Sequence, residues 1–263
     1  MATNPKKQAS YDLKAADRRR NMAIQIGLTA IVVIFAVVLV GYIVLSNDKK
    51  PASGETKAVR VESSKIIKKD GSDDPKVVLS MYEDFLCPHC GLFEQQFGPT
   101  VNKLIDTGAV AADYYMVGIL DRPQNQNYSS RAGGAAYCVA DESIDAFRRF
   151  HAALYAQQPD ETATVFPDNS RLIEVARQAG AGGGVPDCIN KGRYTEMVQG
   201  LAAAAGIQAT PTIRINGQDY TPTTPDALVA KIKETVGNVP GLDGAAPPAP
   251  APTPAAAPQT PTP

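Results

Sequence analysis

The chain predicts an α/β domain with a mixed sheet, carried behind a single N-terminal transmembrane helix, and three observations predict it. Elements alternate along the sequence as strand, helix, strand, long helical stretch, hairpin and helix, an order that builds a sheet flanked by helices. An almost wholly apolar run from Ile24 to Leu45 precedes them. The four cysteines fall into one tight pair and one wide pair.

The membrane segment follows from charge as much as from hydropathy. Net charge is −1 over 263 residues, which gives no reason to expect a nucleic-acid partner. The first twenty residues nevertheless hold Lys6, Lys7, Lys14, Arg18, Arg19 and Arg20 against Asp12 and Asp17. At about 1.5 Å per helical residue, the uncharged run that follows spans a hydrocarbon core of about 30 Å. It is too long for the apolar region of a cleaved signal, and Ser46-Asn47-Asp48-Lys49-Lys50 offers no small-residue cleavage site. The positive flank places the N-terminus in the cytoplasm and the rest of the chain outside the cell membrane. The expected organisation is a basic cytoplasmic segment at 1–21, an anchor at 22–46, a linker at 47–63 and a domain at 64–237. A disordered Pro/Ala-rich tail follows at 238–263.

Within the domain, Lys76 to Tyr82 is a short β-branched and aromatic run that predicts a buried strand. Pro88 then suits the first position of a helix, where a missing N–H costs nothing. Phe93, Phe97, Val101 and Leu104 or Ile105 recur at helical spacing up to Gly108, with a kink expected at Gly98-Pro99. A second strand fits Val110 to Leu120. The helical insert covers about 122–205, broken at Gln158-Pro159 and between Gly180 and Pro186. Asn216-Gly217 between two β-type runs predicts a hairpin. Thr224-Pro225-Asp226 opens the last helix, which stops at Gly237.

The chemistry sits where the first strand meets the first helix. A Cys-x-x-Cys there places Cys87 at a helix N-terminus, whose unpaired N–H groups and partial positive charge favour a thiolate. Cys87 is the expected nucleophile, and Cys90, one turn on, is within reach to resolve a mixed disulfide. His89 adds a polar group that can carry charge beside that sulfur. Glu83 and Asp84, just before Cys87, are candidate acceptors for the Cys90 proton. Competing readings are a zinc half-site, which lacks the remaining ligand spacing, and a purely structural disulfide. A haem attachment would need histidine where Gly91 stands. No metal and no cofactor is expected. Cys138 and Cys188, both in or beside the insert, are expected to form a structural disulfide; a second redox pair is the alternative. His151 lies among Phe147, Phe150 and Leu154 and reads as a satisfied core or surface histidine.

Tyr82-Glu83-Asp84-Phe85-Leu86-Cys87-Pro88-His89-Cys90, together with Thr210-Pro211-Thr212 and the helical insert between them, resembles the DsbA-like, membrane-anchored disulfide oxidoreductases of actinobacteria. The resemblance spans about Val77 to Val236 and implies a thioredoxin-like fold. It also implies that Pro211 is cis, lies against the active-site cysteines, and leaves the Thr210 backbone free to bind an extended substrate segment. Many relatives carry an acidic residue six positions before the first cysteine, where this chain has Met81. Asp84 is the nearest replacement.

The function so implied is an extracytoplasmic oxidase that donates its disulfide to exported cysteine-containing proteins. By the same resemblance, it is reoxidised by a quinone-linked membrane enzyme of the DsbB or VKOR type. A reductase or isomerase serving cytochrome c maturation or disulfide repair is the alternative, and a non-enzymatic envelope scaffold is a third.

Overall fold

The structure is a computed structural model in which residues 56–242 are described. Among them are five strands, β1 (Val59–Val61), β2 (Val78–Glu83), β3 (Ala111–Met116), β4 (Thr212–Ile215) and β5 (Gln218–Asp219), forming one sheet in the order β1-β3-β2-β4-β5. β2 and β3 are parallel, with Leu79 opposite Ala112 and Tyr82 opposite Tyr115. A parallel pair needs a crossover, and helix α1 (Pro88–Asp106) supplies it. β4 returns antiparallel to β2, with Met81 opposite Ile213. The hairpin into β5 turns on Asn216 and Gly217, both at positive φ (50° and 80°), as a two-residue turn of this kind demands.

Each element follows from its residues. Phe93, Phe97, Val101, Leu104 and Ile105 form the buried stripe of α1. The helix runs through Pro99 as one element, so Gly98-Pro99 does not divide it. Gly108 then ends that turn at φ +77°, where a Cβ would fall 2.2 Å from the Lys65 carbonyl oxygen. Helix α7 (Pro225–Val236) starts at Thr224, whose hydroxyl accepts from the Ala227 N–H at 3.1 Å.

Between β3 and β4 lies the helical insert: a 3-10 turn (Pro123–Asn125), then α2 (Tyr128–Glu142), α3 (Ile144–Ala156), α4 (Asn169–Gln178), α5 (Val185–Asn190) and α6 (Thr195–Ala204). α2 is its axis. Its small residues let neighbours approach closely, and a Cβ on Gly133 would meet Val198 at 2.9 Å and Met116 at 3.1 Å. Cys138 of α2 and Cys188 of α5 are joined, with an S–S distance of 1.98 Å and Cα atoms 5.9 Å apart.

Two expected boundaries shift. The linker expected at 47–63 runs into the sheet, because Val59 and Val61 are buried in β1 while Arg60 between them pairs with Asp113 at 2.7 Å. Three residues are too few for alternation to stand out in sequence. Val239 and Leu242, inside the expected tail, are likewise buried in the core. The expected anchor and the remainder of the tail lie outside the described residues. Among the described residues no helix is long and apolar enough to cross a membrane.

Candidate active site

β2 and α1 meet at Cys87, the residue that caps α1 in extended conformation. Both Cys87 and Cys90 are free thiols, 6% and 0% exposed. Their environments push them apart. The Cys90 thiol donating to its sulfur is the largest influence on Cys87, and burial opposes it. The Thr210 side chain and the backbone N–H groups of Cys90 and His89 also stabilise the thiolate, and the balance lowers its pKa from 9.0 to about 5. Burial, the Cys87 sulfur and the charge of Glu83 push Cys90 far up, so it keeps its proton. One cysteine is thus a stabilised thiolate and the other a thiol. His89 sits on the exposed side of the helix start, and the contact recorded between it and the sulfur is through its backbone N–H.

The Thr210–Pro211 peptide is cis, and the Thr210 carbonyl oxygen lies 3.4 Å from Cys87 Sγ. The loop before β4 therefore faces the nucleophile. Half-exposed at this point, Thr210, Pro211 and Thr212 leave backbone groups within reach of an extended chain laid across the sulfur.

The two adjacent acids separate sharply. Asp84 is fully buried and spends its carboxylate on the backbone, accepting from Leu86 N–H at 2.8 Å and Leu120 N–H at 2.9 Å. Burial still raises it to about 6. It ties the active-site turn to the loop after β3. Glu83 points the other way along the strand's alternation, onto the face that Met81 also occupies. Glu83 thus places a carboxyl two residues after Met81 on the same face.

Glu83 does not stand alone. Its Oε2 is 3.0 Å from His151 Nε2, and Glu94 Oε2 lies 3.8 Å from His151 Nδ1. Burial, the largest influence on each acid, raises both Glu83 and Glu94 to about 8, and the two share a hydrogen bond. Burial lowers the His151 pKa from its ordinary value, and Glu94 opposes this. The rings of Phe85, Tyr114, Phe147 and Tyr155 surround it. His151 is thus a satisfied core histidine, as expected, and it stands beside two acids. The three ligand-capable atoms lie within 4.8 Å of one another, a spacing that also suits a small cation. With both acids raised to about 8, the cluster can also hold a proton near neutral pH.

Sequence reasoning missed Glu94 and the acids that His151 meets. The signal was present, since Glu94 is four residues after Cys90 and so lies on the same helix face, one turn below it.

Comparison with known proteins agrees with this geometry. Residues 69–234 match the family described as thioredoxin. The reduced DsbA of Mycobacterium tuberculosis is 65% identical, with a TM-score of 0.70 over 71% of this chain and 95% of that one. The thiol-disulfide oxidoreductase MdbA of Corynebacterium diphtheriae is 25% identical, with a TM-score of 0.56 over 70% of this chain and 96% of that one. The chain belongs to the thioredoxin family, among its DsbA-type protein disulfide oxidoreductases. Serine/threonine-protein kinase PknE of Mycobacterium tuberculosis is 26% identical over 151 residues, 54% of this chain and 27% of the kinase. The chain spans about a quarter of the length of that curated relative.

Proposed function

We propose that the protein is an oxidase that introduces disulfides into exported proteins from the outer face of the cell membrane, held there by the apolar segment at 22–46. The observation that carries the direction is the stabilised Cys87 thiolate. Whatever stabilises the reduced form makes the disulfide a stronger oxidant.

The reaction balances on the groups present. A substrate thiolate attacks Cys87 Sγ of the Cys87–Cys90 disulfide, forming a substrate–Cys87 bond and releasing Cys90 as a thiolate in a buried site. Cys90 then takes a proton, and Glu83, protonated up to about pH 8 and near enough to act on Cys90 electrostatically, is the donor. In the reverse direction Glu83 is the acceptor. The substrate's second thiol, deprotonated by solvent, attacks its own bridged sulfur and expels Cys87 as the stable thiolate. Two electrons pass from the substrate dithiol to the protein. A quinone-linked membrane enzyme of the DsbB or VKOR type, accepting electrons from the dithiol, closes the cycle. Thr210 and Pro211 hold the substrate segment during exchange.

Measuring the reduction potential of the Cys87–Cys90 pair tests the direction. A potential above about −180 mV, on the oxidising side of isomerases, supports the oxidase, together with a mainly disulfide resting state in cells. A potential near about −270 mV and a mainly dithiol protein would make it a reductase.

A further inference from the structure

The insert reaches the active site through one face of α3. His151 and Tyr155 share one stripe of α3 at i and i+4, and Gln158 follows two residues past the end of that helix. All three meet the strand–helix junction. His151 touches Glu83, the Tyr155 ring packs 4.9 Å from that of Phe85, and the Gln158 carboxamide goes furthest. Its Nε2 donates to the Phe85 carbonyl at 3.1 Å and to the Cys87 carbonyl at 2.9 Å.

That second acceptor is the nucleophile's own carbonyl, which also receives the N–H groups of Cys90 at 3.0 Å and Gly91 at 3.2 Å. Three donors thus fix the peptide plane just after Cys87. Gln158 is itself held: its N–H donates to Tyr155 O at 3.2 Å, and Pro159 restricts its backbone to extended geometry. The space it occupies exists because residue 91 is glycine. A Cβ there would lie 2.4 Å from Gln158 Oε1 and 3.2 Å from its Cδ, the nearest atoms it would meet. Glycine inside a helix is costly relative to alanine, so its position beneath this carboxamide has a use.

We infer that Gln158 is a positioning residue for the disulfide chemistry, and that Gly91 is the gap that admits it. The carboxamide holds the Cys87 peptide so that the first-turn N–H groups converge on its sulfur. It thereby transmits the packing of the insert to the nucleophile. This rests on the reading of Cys87 as the exchanging thiolate but not on the direction of electron flow.

A double-substitution cycle on the full-length chain tests it. Gln158→Ala, Gly91→Ala and the double variant are compared with wild type by two measurements, ultraviolet titration of the Cys87 thiolate and equilibrium with glutathione. Each single variant should raise the Cys87 titration midpoint by about half a unit or more and shift the glutathione equilibrium about threefold toward a less oxidising protein. The double variant should be no worse than Gln158→Ala alone, because the three nearest atoms that a methyl at position 91 would meet all belong to the Gln158 carboxamide. It should also unfold at higher temperature than Gln158→Ala, by the helix propensity of alanine over glycine. An unmoved titration in Gln158→Ala, or effects of the two substitutions that simply add, would overturn the proposal. Should Gly91→Ala fail to fold, the titration of Gln158→Ala alone decides it. A reductase-like potential in the wild type would refute the oxidase reading while leaving these differences between variants intact.

Discussion

Cys87 and Cys90 open a helix beside a strand end, whereas Cys138 and Cys188 bridge two helices of the insert. The residue type is the same and the surroundings decide what it does. At the helix start, the Cys90 thiol and first-turn N–H groups act on one sulfur while burial and a buried acid act on the other, so the pair is driven to unequal protonation. In the insert, Cys138 is buried in the wall of α2, and Cys188 lies in the short helix α5 with its backbone N–H donating to Gly184 O at 3.0 Å. A disulfide there joins elements 50 residues apart in sequence and constrains the unfolded chain. Two thiols on one helix start are placed for exchange, whereas a bond between two helices is placed as a staple.

The largest effects should break this comparison completely or not at all. Cys87→Ala should abolish thiol–disulfide exchange, and Cys90→Ala should accumulate mixed disulfides with exported proteins, seen on non-reducing gels and lost on reduction. Cys138→Ser with Cys188→Ser should do neither. Trapped partners on Cys138 or Cys188 in the Cys90→Ala protein would make the second pair a redox relay. The same double serine variant should lose up to about 4 kcal/mol of stability in denaturant unfolding, the chain-entropy value for a loop of this length. Its Cys87 titration should be unchanged.

A smaller effect separates the pairs through pH. The Cys87 pKa falls from 9.0 to about 5 on folding of the reduced protein. A depressed pKa gives stability that is fully present above 9 and is lost as pH falls through 5. No such contribution exists in the oxidised protein. The stability of the reduced form minus that of the oxidised form should therefore grow between pH 5 and 9. With solvent access to Cys87 discounted, the gain is on the order of 2 kcal/mol. Glu83 and Glu94 act with the opposite sign, because their raised pKa values favour folding below the ordinary carboxylate range and lose that contribution as pH rises through about 8. Present in both redox forms, they largely cancel in the difference. Glu83→Gln should flatten the fall in stability of the oxidised protein between pH 5 and 8, by about 1 kcal/mol. Parallel pH profiles for oxidised wild type and Glu83→Gln would show that Glu83 ionises freely in the fold.

Much of this was legible in the sequence because it is local. The Cys-x-x-Cys after a β-branched run, Pro88 at the helix start, the Asn216-Gly217 turn and the Thr224 cap all act within a few residues of themselves. What the sequence did not reveal is set by tertiary contact. Glu83 and Asp84 are neighbours, and strand alternation alone sends one toward the cysteines and the other to the backbone of Leu86 and Leu120. Which of them faced Cys90 depended on where α1 and α3 pack. Likewise, the partners of His151 were hidden because its acids lie 68 and 57 residues away along the chain. The strand Val59–Val61 was hidden by its brevity, and only its pairing with β3 defines it.

The smallest effect concerns His89, and it asks what at the helix start controls the nucleophile. Sequence reasoning gives the imidazole a share, as a polar group that can carry charge beside the sulfur. In the structure, hydrogen bonds from Cys90, Thr210 and two backbone N–H groups act on Cys87, one of those N–H groups being that of His89. The side chain is on the exposed side, where water screens any charge it carries. His89→Ala keeps the N–H and removes only the ring. The Cys87 titration should therefore rise by less than about one unit, well short of the full return to 9.0. The glutathione equilibrium should move by less than about tenfold in the same direction. What remains should be nearly independent of salt, since it comes from fixed N–H dipoles and a thiol and not from a solvated cation. A return of the Cys87 titration to the ordinary thiol range in His89→Ala would assign the control to the ring, and the helix start would then be a scaffold for that ring.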